Sequence, residues 1–86
     1  MKKKILCVED HRDMCELVTR ILAEYEVCAA HSKVAALKLA MEQQFDLYLL
    51  DYYLPDGTGL DLCLLLRTFD KHTPIFFITA DRSVGE

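Results

Sequence analysis

Four short apolar runs govern what this chain can become: Ile5-Leu6-Cys7-Val8, Val27-Cys28-Ala29-Ala30, Phe45-Asp46-Leu47-Tyr48-Leu49-Leu50 and Ile75-Phe76-Phe77-Ile78. The first stops abruptly at two carboxylates, the pattern of a strand covered on both faces of a parallel sheet. The segments between the runs carry a different period. From Arg12 to Glu24, the residues Met14, Leu17, Val18, Ile21 and Leu22 recur at i, i+3, i+4, i+7 and i+8, one stripe of an amphipathic helix, and Asp13 suits its N-terminal dipole. Ser32 is placed to cap a second helix in which Val34, Leu37 and Met41 share a face. The stretch Leu54-Pro55-Asp56-Gly57-Thr58-Gly59 is dense in turn formers and precedes a third helix, Leu60 to about Phe69. A Lys71-His72-Thr73-Pro74 break then leads into the last run. The order is βαβαβαβ. It predicts an α/β, doubly wound parallel sheet with right-handed crossovers and helices on both faces. In such sheets ligands bind beyond the carboxyl ends of the strands.

Size and charge narrow the function. Eighty-six residues allow one domain at most and exclude a two-domain enzyme. A hydrophobic fraction of 52% with 28% charged residues describes a globular chain with a small core. Ten basic against fourteen acidic residues give a net charge of −4, the wrong sign for gripping phosphate backbones, so nucleic acid is not expected as a direct ligand. Cys7, Cys15, Cys28 and Cys63 form no C-x-x-C pair, and free thiols in a reducing cytosol are expected. After Met1-Lys2-Lys3-Lys4 only four apolar residues precede Glu9-Asp10, too few for a signal peptide or a membrane span. The expectation is a cytoplasmic chain with no membrane partner.

The residues following the runs carry the chemistry. Glu9 and Asp10 follow the first, Asp51 the third and Thr79 the fourth, so three carboxylates and a hydroxyl converge on one edge. Crowded carboxylates repel, and a hard divalent cation with oxygen ligands, Mg²⁺ above all, relieves the repulsion. Magnesium takes remaining ligands from phosphate oxygens, so the site invites a phosphoryl group with one carboxylate as nucleophile. A single acid at a strand end is more often a loop or cap residue; acids after two central, adjacent strands are the stronger sign. His11, His31 and His72 lie far apart in the pattern, and each reads as a surface residue. Tyr52 and Tyr53 either screen the acceptor from water or pack over the loop.

On the acidic pair, the D-x-x-L-P-x-x-x-G stretch from Asp51 to Gly59, and Thr79-Ala80, the chain resembles the receiver domain of two-component response regulators. The resemblance implies a flavodoxin-like receiver fold with strand order 2-1-3-4, here incomplete, and residues 1–86 as the N-terminal part of a single receiver domain. It implies Asp51 as phosphoacceptor, Asp10 as a direct Mg²⁺ ligand, Glu9 as its water-mediated helper and the Tyr53 main-chain carbonyl as a further ligand. Thr79 would hold a phosphate oxygen as the switch residue, and Ala80 would leave room for the phosphoryl group. Pro55 and Gly59 would shape the loop and open the third helix. The implied partners are a histidine kinase and an output domain beyond residue 86. The family continues through a further helix, a fifth strand with an essential Lys and a final helix, so a fragment of a longer regulator is expected. The domain would be a switch and not an enzyme, beyond self-catalysed phosphotransfer and dephosphorylation. Ile75 to Ile78 would then be an open apolar edge, and with Leu64 and Leu65 of the third helix it is expected to support a homodimer. Two rivals stand beside this reading. A phosphorylation-independent interaction module would lack metal binding, and an aspartyl-phosphate phosphatase would want an acid where Tyr53 stands.

Overall fold

A computed structural model of the chain describes residues 2–78. Strand β1 spans Lys4–Val8, and Ile5 to Val8 are all buried, as their unalternating pattern requires of a strand sandwiched between layers. Helix α1 (Arg12–Ile21) leads to strand β2 (Glu26–Ala30), and helix α2 (Lys33–Glu42) leads to strand β3 (Leu47–Asp51). Two-residue strands β4 (Tyr53–Leu54) and β5 (Gly57–Thr58) make a small hairpin within the stretch read as a turn. Helix α3 (Gly59–Leu66) and strand β6 (Ile75–Ile78) complete the order.

The main sheet runs β2-β1-β3-β6, and each neighbouring pair is parallel. This is the 2-1-3-4 order expected of the four runs, with β6 as the fourth. Alternate residues of each strand face opposite layers. Leu6, Val8, Tyr48 and Leu50 join Ala36 and Ala40 of α2 and Leu62 and Leu66 of α3 in one core. Cys7 faces the opposite layer, where its thiol meets Cys15 of α1. Helices therefore cover both faces.

The helix faces differ from those read in the periodicity. Val34 and Met41 are exposed and α2 packs through Ala36 and Ala40, because small residues let the helix lie close on the sheet. In α1 the buried residue is Cys15, while Leu17 and Ile21 of the predicted stripe are exposed. Helix α1 also stops at Ile21, short of Glu24, with the Leu22 N–H bonded to the Val18 carbonyl. Ser32 caps α2 as expected, its hydroxyl accepting from the Ala35 N–H at 3.1 Å.

At the edge opposite the strand C-termini, the buried Tyr48 hydroxyl donates to Asp70 Oδ2 at 2.7 Å, and the N–H groups of His72 and Thr73 donate to Asp70 Oδ1. Burial alone would raise the Asp70 carboxyl, but these bonds and the Thr73 side chain outweigh it and hold it well below the usual carboxylate range. The loop into β6 is pinned there, which fixes where the fourth strand enters the sheet.

Candidate functional site

Register builds the site. Val8 stands opposite Leu50 in the parallel ladder, so the next residues, Glu9 and Asp51, emerge side by side at the C-terminal edge of the two central strands. The Glu9 N–H continues the ladder by donating to the Ala30 carbonyl at 2.9 Å. Asp51 ends β3, paired with Ile78. Glu9, Asp10, His11 and Asp51 each bring a ligand atom to one place, all within 4.8 Å of one another. Glu9 and Asp51 are 5% and 2% exposed, whereas Asp10 and His11 face solvent.

Two neighbouring buried carboxylates cannot both ionise cheaply. Burial, then a hydrogen bond from one carboxyl to the other and the charge of Asp51, push Glu9 up to about 7. Near neutral pH Glu9 is therefore held partly protonated beside Asp51, and a positive charge at the site would displace that proton. The donor set is three carboxylates plus one imidazole, and its oxygens are hard, close and jointly anionic, which fits a small divalent cation.

Of the residues singled out in the sequence, Glu9, Asp10 and Asp51 meet as expected. Tyr53 lies in β4, exposed, with its ring edge-on to Tyr52 at a centroid distance of 5.1 Å. Thr79 and Ala80 lie outside the described residues. Two histidines read as plain surface residues belong to the site. His11 Nδ1 stands 3.2 Å from Asp10 Oδ1 and 3.6 Å from Glu9 Oε2. His31 Nδ1 stands 2.9 Å from the Glu9 carbonyl oxygen. The sign that finds His31 is the rule that found the acids: it follows the second apolar run, as Glu9 follows the first and Asp51 the third.

The loop after Asp51 is held from two sides. Asp56 accepts from the Lys33 N–H at 2.7 Å and the Val34 N–H at 3.0 Å, capping α2 from outside that helix. These backbone bonds, Lys33 first, keep its carboxyl below the usual range. Thr58 and Asp61 form a capping box at the start of α3, each accepting the other's N–H at 3.1 Å. Gly59 then approaches Asp51 so closely that a Cβ would lie 2.4 Å from the Asp51 carbonyl oxygen. Its N–H donates to the Tyr52 carbonyl at 2.6 Å. Beneath the acids, burial pushes the Cys7 thiol up to about 12 and raises Cys15 as well, so both are unreactive packing groups.

A model of the response regulator receiver domain family matches residues 5–85. The chain belongs to that family. This receiver domain is 38% identical over 79 residues to the transcriptional regulatory protein CusR of Escherichia coli strain K12, covering 90% of the chain and 35% of CusR. It thus spans about a third of that relative's length. Among solved structures it is similar to the response regulator protein TrrA of Thermotoga maritima in complex with Mg²⁺-BeF, with a TM-score of 0.88 and 32% identity over 94% of this chain and 72% of that one. It is also similar to a structure of the histidine kinase ThkA in complex with TrrA, with a TM-score of 0.86 and 31% identity over 98% of this chain and 74% of that one. The flavodoxin-like receiver fold and its strand order are therefore those of the family. No helix of the described residues is long and apolar enough to cross a membrane.

Proposed function

We propose that this receiver domain works in the cytoplasm and accepts a phosphoryl group from a histidine kinase onto Asp51. The observation that carries this is the convergence of Glu9, Asp10 and Asp51, whose carboxylate oxygens lie within 4.8 Å of one another at the C-terminal edge of the central strands. An Asp51 carboxylate oxygen attacks phosphorus, the bond from phosphorus to the donor's imidazole nitrogen breaks, and that nitrogen keeps the electron pair. The product is an acyl phosphate on Asp51 and a free histidine on the kinase. Glu9 and Asp10, with Asp51 and the Tyr53 main-chain carbonyl, are the residues that would hold Mg²⁺. When bound, Mg²⁺ supplies the positive charge that neutralises the carboxylates and the transferring phosphoryl oxygens. Thr79 and Ala80 complete the reading as the phosphate-oxygen donor and the small residue that leaves room.

The similarity to TrrA, whose structures carry Mg²⁺-BeF and a bound histidine kinase, supports both the cation and the partner. The domain acts as a switch, with self-catalysed phosphotransfer and dephosphorylation only, relaying to an output domain. Self-association through β6 and the outer face of α3 belongs to the same reading. The test is intact mass after incubation with acetyl phosphate and Mg²⁺, beside Asp51→Asn. A phosphoryl adduct on the parent and none on the variant supports the proposal; equal adducts on both refute it.

A further inference from the structure

Among the described residues the carbonyl of Glu9 has no strand partner, because β2 ends at Ala30 and the chain turns away into the Ser32 cap. Two side chains take the vacant place. His31 Nδ1 lies 2.9 Å from that oxygen, and the Cys15 thiol donates to it at 3.4 Å. Since the carbonyl can only accept, the imidazole proton sits on Nδ1. The lone pair on Nε2 is then left facing the Arg12 guanidinium, whose Nη1 stands 3.3 Å away. One ring thus has a defined tautomer, a defined acceptor and a defined donor.

The position of that carbonyl matters. The peptide joining Glu9 to Asp10 sits between two of the three carboxylates, and its plane sets the direction in which each leaves the main chain. The Glu9 N–H is already fixed to Ala30. With the carbonyl also fixed, both ends of the Glu9 residue are tied to the end of β2. We propose that His31 is a positioning residue for the cation site: its Nδ1–H serves as one further rung between β1 and β2 and holds the Glu9–Asp10 turn so that both carboxylates converge on Asp51. His31 binds no metal in this scheme. The proposal rests on the divalent-cation reading above.

The test is calorimetric titration of Mg²⁺ alone into the parent and into His31→Asn, His31→Leu and His31→Gln, with thermal melts of each in EDTA. Asparagine carries an amide N–H on the same carbon that bears Nδ1, leucine removes the donor, and glutamine moves it one carbon outward. Removing a group that orients a metal ligand lowers affinity by about tenfold or more. The expected result is weakening of that size in the leucine and glutamine variants, with parent-like affinity restored by asparagine. Parent-like affinity in the leucine and glutamine variants overturns the proposal alone. So does an asparagine variant as weak as they are, or affinity losses that only follow a lower melting temperature in EDTA. A parent that takes up no Mg²⁺ overturns the cation reading, and this proposal with it.

Discussion

Glu9 sits in an environment far from the one its type suggests, and the departure has a measurable sign. Its carboxyl titrates near 7 in the folded chain and near 4.5 when exposed. Between those values the folded state holds more protons than the unfolded one, so stability falls as pH rises across that window. At about 1.4 kcal/mol per pH unit, the loss is on the order of 3 kcal/mol. Metal-free protein should melt at a lower temperature at pH 7.5 than at pH 5, and Mg²⁺ should raise the melting point at pH 7.5 far more than at pH 5. Melting curves in EDTA and in Mg²⁺ at the two pH values check this; a metal-free melting point that climbs with pH contradicts it. Gly59 gives a second test. Gly59→Ala drives a methyl into the Asp51 carbonyl, and overpacking of this kind costs about 1–3 kcal/mol. Chemical denaturation should show that loss, accompanied by weaker Mg²⁺ binding because the atom displaced belongs to Asp51. The three acids were legible in the sequence because each follows an apolar run, and parallel strands bring their ends to one edge. His11 was not, since its approach to Asp10 depends on how the chain turns into α1, which no periodicity records.

At the level of elements, the strands were legible and the helix faces were not. The apolar runs, short and bounded by turn signals, marked the four main strands, whereas the side of α2 that meets the sheet is set by how closely the helix can approach, which no apolar stripe records. That is why Ala36 and Ala40 lie under α2 while Val34 and Met41 stay in solvent. The cap on α2 from Asp56 was equally hidden, because the residues lie 22 and 23 apart in sequence. Asp56→Ala should destabilise the fold by about 1 kcal/mol at neutral pH, the usual worth of a helix cap. The carboxyl is lowered in the folded state, so its contribution is present above the ordinary carboxylate pKa and lost as pH falls through the folded value. The gap between variant and parent in urea denaturation should therefore close in strong acid, and a gap that persists unchanged there would show that packing and not charge is responsible.

Across the whole molecule, apolar surface is distributed unevenly. Phe76 is 61% exposed and Phe77 41%, on a strand paired on one side only among the described residues, and Leu64 is 62% exposed on α3. Unpaired, aromatic strand edges template pairing with another chain. Sedimentation velocity should show association that grows with concentration, and Phe76→Lys should shift the population to monomer; a parent that stays monomeric at high concentration removes this surface from the reading. The order in which the sheet is assembled has a further consequence during synthesis. A chain emerging N-terminus first can pair β1 with β2 once Ala30 is free, so Glu9 and Asp10 are held in place early. Asp51 arrives twenty-one residues later, and a parallel strand must wait for its crossover before it can dock. Whenever β3 docks beside β1 it brings a third carboxylate against two. Because Glu9 can hold a proton near neutral pH, pairing β1 with β3 need not force three full negative charges together, and the acidity of the medium in which the chain folds bears on how readily the central pair of strands closes.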